Sequence, residues 1–166
     1  MDFKVLAAVG FIVFALFNPN FTLSDLGGGG SKPVVTNELI QKPSTTIVDK
    51  YKTGLNSIAD IVANDNKKSS SDKILMAMHF HYLGTLSINN PSVVKTTADV
   101  RAANKATGGA IFKELNVPET PGLNEAVDGL FVTVLGDDAV LLEDSKRKEM
   151  VDVLNGISYV ILNGRL

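Results

Sequence analysis

The chain contains no cysteine and no tryptophan, and neither sign of charge dominates it. Without cysteine it has no disulfide framework, no thiolate metal site and no cysteine nucleophile. Lys and Arg number 16 and Asp and Glu 18, so the net charge is −2, which argues against a dedicated nucleic-acid-binding protein. With 166 residues, 45% hydrophobic and 20% charged, the composition is that of one small globular unit with tails.

The common catalytic motifs are also missing, including GxSxG, the P-loop, HExxH and GxGxxG. The two histidines, His79 and His81, stand two residues apart in a segment with a helical pattern. There their side chains point about 200° apart and cannot ligate one metal ion together. We interpret them as core or interface residues. The sequence therefore predicts no enzyme activity, no catalytic residue, no metal site and no cofactor; a small enzyme that uses either histidine is the alternative.

The most distinctive feature that is present is an apolar segment near the N-terminus. The thirteen residues from Val5 to Phe17, VLAAVGFIVFALF, carry no polar side chain, and the sequence NPN follows them. A membrane span needs roughly 20 apolar residues, a length that residues 1–17 approach if Asp2 and Lys4 reach the interface. The alternatives are a secretory signal peptide that is cleaved and a helix that is buried against a partner protein.

We interpret this segment as an uncleaved anchor or a protein-buried helix. The predicted organisation is an anchor over 1–26, a glycine-rich linker over 27–43 that opens with GGGGS, and a helical domain over 44–166. The side chains predicted to contact the membrane or a partner are the large apolar ones of the segment: Val5, Leu6, Val9, Phe11, Ile12, Val13, Phe14, Leu16 and Phe17.

After the linker, helix-start residues and apolar stripes recur at helical spacing. The predicted helices cover 45–63, 73–88, 93–115, a segment from Thr120-Pro121 to Gly136, and a last segment that ends at Gly164. Their expected N-caps are Ser44, Ser71 or Asp72, Ser92, Thr120, and Asp144 or Ser145. The sequence thus predicts an all-α fold, a compact bundle of about five short helices preceded by the apolar N-terminal helix.

One region of the chain is also compatible with β-strands instead of a helix. Residues 130–135 (LFVTVL) are rich in β-branched residues, a turn with glycine and aspartate follows, and 139–142 are apolar again. This pattern is compatible with a β-hairpin over 130–142, which would make the fold α+β.

Glycines stand inside every predicted helix. An interior glycine costs roughly 1 kcal/mol of helix stability relative to alanine, so its repeated use indicates close approach of helix backbones or kinks; neutral drift in a domain with stability to spare is the alternative. We expect helix packing, within the domain or between chains, at Gly54, Gly84, Gly108, Gly109, Gly129 and Gly156.

The charges are unevenly distributed in the second half of the chain. Between Glu114 and Asp144 there are eight acidic residues and no Lys or Arg, and the basic triplet 146–148 follows. An acidic run is usually a solvated face. The triplet would lie in the first turn of the last helix, where cations oppose the helix dipole. The simplest explanation is that Asp144 and Glu149 neutralise its positive charges.

These patterns together indicate a non-catalytic structural or assembly protein. We expect it to be membrane-anchored or embedded in a multi-subunit complex such as a virion or envelope assembly, and to dock through its helix faces. The expected partners are protein subunits (copies of itself or others) and a membrane, with no nucleic acid. The layout is shared by membrane-tethered adaptors and small virion proteins. An exported soluble helical domain with a cleaved signal peptide is the alternative.

Overall fold

The computed structural model describes residues 40–114, 116–136 and 141–166, apart from the side chains of 106–111 and 114. Over these residues the chain forms five helices and no strand: α1 (Thr45–Ala63), α2 (Ser70–Asn89), α3 (Thr97–Glu114), α4 (Leu123–Leu135) and α5 (Asp144–Asn163). The predicted all-α bundle is confirmed. The apolar segment 1–26, with every predicted anchor residue, lies outside the described residues. Among those that are described, no helix combines the length and the apolar character needed to cross a membrane.

Helix α1 begins and ends where the sequence predicts. Ser44 is its N-cap, and the Ser44 hydroxyl oxygen accepts a hydrogen bond from the Ile47 N–H at 3.4 Å. At the other end, the Asn64 N–H donates to the carbonyl of Asp60 at 2.9 Å. The predicted apolar stripe is the buried face of the helix, with Ile47, Tyr51, Leu55, Ile58 and Val62.

Helix α2 begins earlier than predicted because two reciprocal hydrogen bonds cap it at Ser69. The Ser69 hydroxyl accepts from the Asp72 N–H at 3.1 Å, and the Asp72 carboxylate accepts from the Ser69 N–H at 2.9 Å. This is a capping box, in which each side chain satisfies the backbone donor of the other residue. The predicted N-cap, Ser71 or Asp72, is therefore wrong: Asp72 is the third helical residue.

Helix α3 begins at Thr97, so the predicted N-cap Ser92 and the start at residue 93 are wrong. A reciprocal pair again decides the start: the Thr96 hydroxyl accepts from the Asp99 N–H at 3.2 Å, and the Asp99 carboxylate accepts from the Thr96 N–H at 3.0 Å. The same carboxylate accepts from the Lys95 N–H at 2.9 Å. Three hydrogen bonds at one position outweigh the single bond that Ser92 would supply.

Residues 123–135 form helix α4, so the hairpin alternative is wrong for its first strand. The N-cap of α4 is Gly122, with φ of 80°, and not the predicted Thr120, which is buried just before it. Gly136, with φ of 74°, ends the helix as predicted, in a backbone conformation that suits glycine. Residues 137–140 lie outside the described part of the chain. An isolated antiparallel bridge pairs Leu141 with Thr96.

Helix α5 is the centre of the bundle and packs most extensively on α2, then on α1 and α4. Its N-cap is Glu143, so the predicted cap at Asp144 or Ser145 is wrong. Gly164 ends the helix as predicted. The last residues return to α1, where the Arg165 guanidinium contacts the Asp60 carboxylate at 3.0 and 3.2 Å.

The basic triplet contains one buried cation. Arg147 is 7% exposed, and its guanidinium donates hydrogen bonds to the carbonyls of Ser87 at 2.8 Å, Val94 at 2.7 Å and Leu142 at 3.5 Å. These carbonyls belong to the last turn of α2, the α2–α3 connection and the residues before α5. Within the described part of the chain, no carboxylate pairs with Arg147.

Glu149, two residues further on, ties α1 to α5. Lys50 Nζ and the Tyr51 hydroxyl each donate to Glu149 Oε1 at 2.8 Å, and Lys146 Nζ lies 3.2 Å from Oε2. The hydrogen bonds from Lys50 and Tyr51 lower the pKa of Glu149 to about 2. Burial, together with the bond to this carboxylate, raises the pKa of Tyr51 to about 12. Within the described ranges, the triplet is thus paired with a carboxylate only at Lys146.

Two of the predicted packing glycines face α4 and α1. A Cβ at Gly54 in α1 would lie 2.9 Å from Leu130 Cδ1, and a Cβ at Gly156 in α5 would lie 3.3 Å from Leu55 Cδ1. A contact below 3.0 Å forces the neighbour to move, so a Cβ at Gly54 would require the Leu130 side chain to shift.

The other predicted glycines differ in their surroundings. A Cβ at Gly84 in α2 would lie 3.3 Å from Val151 Cγ1 in α5, whereas a Cβ at Gly129 in α4 would have no neighbour within 4 Å. The surroundings of Gly108 and Gly109, in α3, lie outside the described residues.

The contrast between Gly54 and Gly129 gives a matched test of helix packing. Both are interior helical glycines, so replacement by alanine brings the same intrinsic gain of about 1 kcal/mol. We expect Gly129→Ala to raise the free energy of unfolding by about that amount. Gly54→Ala must displace the buried Leu130 side chain, and overpacking typically costs about 1–3 kcal/mol. Urea unfolding followed by circular dichroism should find Gly54→Ala less stable than Gly129→Ala. Equal stabilities would contradict a steric conflict between a side chain at position 54 and Leu130.

Candidate functional site

A cleft of about 810 Å³ lies between α2, α3 and α4. The connection from Val117 to Gly122 borders it, and Lys68 Nζ donates a hydrogen bond to the carbonyl of Pro118 in that connection. Cavities of this volume are typical of small-molecule sites. We name it the His79 cleft, after the buried polar side chain in its wall.

Helical spacing places one face of α2 on the cleft. Met76, His79 and Phe80 stand at positions i, i+3 and i+4, which share a face. The opposite face packs on α5, where the Ser158 hydroxyl donates to the carbonyl of Ala77 at 2.7 Å. Because both faces of α2 are covered here, all five consecutive residues 76–80 are buried.

The floor of the cleft is apolar and partly aromatic. Phe80 from α2, Phe112 from α3 and Leu123 from α4 line it together with Val117. All of these except the half-buried Phe112 are buried. A surface of this composition favours an apolar or aromatic occupant, which removes it from contact with water.

His79 is a buried polar side chain of the wall and is 1% exposed. Its Nε2 lies 3.0 Å from Asn104 Oδ1 in α3. Since that oxygen accepts, Nε2 carries the proton, and Nδ1 presents a lone pair. Nδ1 is buried and has no hydrogen-bond partner among the described residues. The ring also makes edge contacts with Phe80 and Phe112, at centroid distances of 4.9 and 5.3 Å.

Burial determines the protonation state of this imidazole. It lowers the pKa of His79 to about 4, and the hydrogen bond with Asn104 offsets only part of the effect. His79 is therefore uncharged at neutral pH and a weak base there. It contributes no charge to the wall of the cleft.

The rim of the cleft is charged but balanced in sign. The Arg101 guanidinium of α3 contacts the Asp128 carboxylate of α4 through two hydrogen bonds, Nε–Oδ1 at 3.1 Å and NH2–Oδ2 at 2.8 Å. This fork-to-fork pair holds α3 and α4 together at the mouth and lowers the pKa of Asp128. The remaining charged side chains of the rim are Lys105, Lys113, Glu119 and Glu125.

His81 lies away from this cleft, as the predicted divergence of the two histidines requires. It borders a separate depression of about 350 Å³ with Thr85, Ile88 and Asn155, and burial lowers its pKa. Among the described residues, no group of three His, Asp or Glu side chains is placed to hold a metal ion.

Sequence reasoning selected few of the residues that form the cleft. The predicted anchor residues lie outside the described part, and none of the packing glycines lines the cavity. The missed side chains are Asn104, Arg101 and Asp128. Asn104 did carry a signal, because it stands four residues after Val100 on the apolar stripe of α3, where a polar side chain needs a partner. Nothing local in the sequence links Arg101 to Asp128.

Comparison of the chain with protein-family models, with curated proteins and with solved structures finds no match.

The buried position of His79 gives a testable titration. We expect ring NMR signals of His79 to titrate with a pKa near 4, and those of His81 also below the ordinary value of about 6.5. The His81→Gln variant assigns the signals, since it leaves one histidine. Between pH 6.5 and 4 the unfolded chain binds the extra proton, so this contribution to stability is present above pH 6.5 and is lost as the pH falls toward 4. A His79 pKa at 6.5 or above would contradict a buried, neutral ring.

Proposed function

We propose that this protein is a non-catalytic structural or assembly protein. Its apolar segment, Val5–Phe17, holds it in a membrane or in a larger protein assembly such as a virion or envelope. The helical domain is then the binding body that stands beyond the glycine-rich linker and docks to protein subunits.

The proposal rests on one observation: the five helices form a hydrophobic core with their own side chains. Buried apolar side chains of α1 to α5 form one cluster, with Leu55, Phe131 and Leu154 among its most enclosed members. The C-terminal residues close it further, because the Leu166 N–H donates to Asn56 Oδ1 at 2.8 Å. The sequence also carries thirteen consecutive apolar residues, Val5–Phe17, and their removal from water by lipid or a partner would be favourable.

The contacts of the glycines limit which helix faces are available for docking to another protein. Gly54, Gly84 and Gly156 contact other helices of the same domain, so those faces are already occupied. Gly129 is on an outward face of α4 next to Val132, whose side chain is 47% exposed. The proposal therefore assigns docking to outward faces rather than to the internal crossings.

The test compares the full chain with a variant in which Val9→Asp and Ile12→Asp interrupt the apolar segment. Two charges inside an apolar span are costly in lipid or in a dry interface. We expect the native chain to sediment with membranes or with a large complex when cells are lysed without detergent, and the double variant to move to the soluble fraction. Leu141→Asp, the same kind of change at a residue that is 69% exposed and lies outside the helices, is the control and should sediment like the native chain.

The mass of the mature chain completes this test. A native chain that retains residues 1–17 and is nonetheless a soluble monomer would refute the proposal. A mature N-terminus between residues 18 and 30 would refute it as well, and would favour an exported domain.

A further inference from the structure

We propose that the His79 cleft binds a small zwitterion with an apolar body, such as a short peptide whose amino and carboxyl termini are both free. This goes beyond the assembly role, because it assigns the helical domain a small-molecule ligand of its own. The proposal rests on two features of the cleft: walls of opposite charge, and apolar side chains that a ligand in the cleft can reach.

The charged side chains that line the cleft are separated by sign. Among the described residues of the lining, every basic side chain belongs to α3, and every acidic one lies between Glu119 and Asp128, a stretch that includes the start of α4. The basic side chains are Arg101, Lys105 and Lys113, and the acidic ones are Glu119, Glu125 and Asp128. A ligand in the cleft therefore meets one cationic wall and one anionic wall.

The fold pairs only some of these charges with each other. Arg101 and Asp128 bind through hydrogen bonds of 3.1 and 2.8 Å, so the two walls approach closely at this pair. The other four charged side chains of the lining are exposed and form no ion pair within the described part of the chain. A ligand with an ammonium group and a carboxylate can pair with both walls, whereas a ligand with a charge of one sign can pair with only one.

The apolar body of the ligand is matched by side chains of α3 that are open to the cleft. Phe112 is half-buried, and Ala98 and Ala102 are exposed. Val117 and Leu123 also line the cleft, but they are buried. An aromatic or aliphatic group that covers the Phe112 ring removes apolar surface from water, and an aromatic group also gains from the contact between the rings.

The size of the cleft favours a small molecule over a helix of a partner protein. Its volume of about 810 Å³ is typical of small-molecule sites. The pair of Arg101 and Asp128 links α3 to α4 at the mouth, which favours an occupant that leaves the two helices in place. A dipeptide is such an occupant, since its extended length is at most about 7 Å.

The experiment titrates the full chain with three forms of one dipeptide and measures each dissociation constant by isothermal titration calorimetry. Phenylalanyl-leucine carries both charges, its N-acetyl derivative carries only the carboxylate, and its C-terminal amide carries only the ammonium group. We expect saturable binding of phenylalanyl-leucine. Because exposed ion pairs contribute modestly, we expect each blocked form to bind about three- to fivefold more weakly.

Variants of the two walls test which wall pairs with which group. Lys105→Gln with Lys113→Gln removes two cations of α3, and Glu119→Gln with Glu125→Gln removes two carboxylates of the other wall. All four side chains are exposed, so neither variant disturbs the core. We expect the lysine variant to weaken binding of the free dipeptide and the N-acetyl derivative but not of the amide. The glutamate variant should weaken binding of the free dipeptide and the amide but not of the N-acetyl derivative.

A matched pair of surface variants locates the binding. Ala102 is exposed on α3 and lines the cleft, so Ala102→Trp fills the cleft without disturbing the core. Ala63 is exposed at the end of α1 and does not line the cleft, so Ala63→Trp is the control. We expect the first variant to weaken binding of the free dipeptide at least tenfold and the second to leave it unchanged.

Three results would each overturn the inference. The first is that phenylalanyl-leucine shows no saturable binding, or binds no better than its blocked forms. The second is that the lysine and glutamate variants affect the two blocked forms equally. The third is that Ala102→Trp binds the dipeptide like the native chain.

Discussion

A single buried guanidinium holds together the parts of this bundle that are distant in sequence. Arg147 reaches from the first turn of α5 to the last turn of α2, to the α2–α3 connection and to the residues before α5, and it binds a carbonyl in each. Burying a cation costs several kcal/mol unless hydrogen bonds replace its hydration. Here carbonyl oxygens replace it at the two terminal nitrogens, whereas the buried Nε has no hydrogen-bond partner among the described residues. One of them, from Ser87, stands at the C-terminal end of α2, where the helix dipole favours a cation.

This interaction also explains where α3 begins. The carbonyl of Val94 is bound by Arg147, and Leu142 donates its N–H to the carbonyl of Lys95 at 2.9 Å. Residues 94 and 95 are thereby held outside a helix, and the reciprocal bonds of Thr96 and Asp99 then start α3. Because α2 carries His79 and α3 carries Asn104, the hydrogen bonds of Arg147 link two of the three helices that form the cleft.

The sequence predicts which segments form helices better than it predicts the residues at which those helices begin. Helix α1 was predictable residue by residue, because its cap and its apolar stripe are both local signals. The starts of α2 and α3 depend on which of several Ser, Thr and Asp residues forms a reciprocal pair, and Ser92 had no such partner. The β-branched run 130–135 forms a helix because its apolar side chains fit the core beside α1 and α5, an effect of tertiary packing that outweighs local preference. The burial of Arg147 was not predictable, since its carbonyl partners lie up to 60 residues away.

The role assigned to Arg147 is tested most directly by the free energy of unfolding of Arg147→Met, measured by urea denaturation beside Lys148→Met. Both variants remove one positive charge from α5, but Lys148 is exposed. We expect Arg147→Met to be less stable than the native chain by about 3 kcal/mol, because it leaves buried carbonyls without donors. Lys148→Met should remain within about 0.5 kcal/mol of it. Equal stabilities of the two variants would contradict the claim that this guanidinium holds the bundle together.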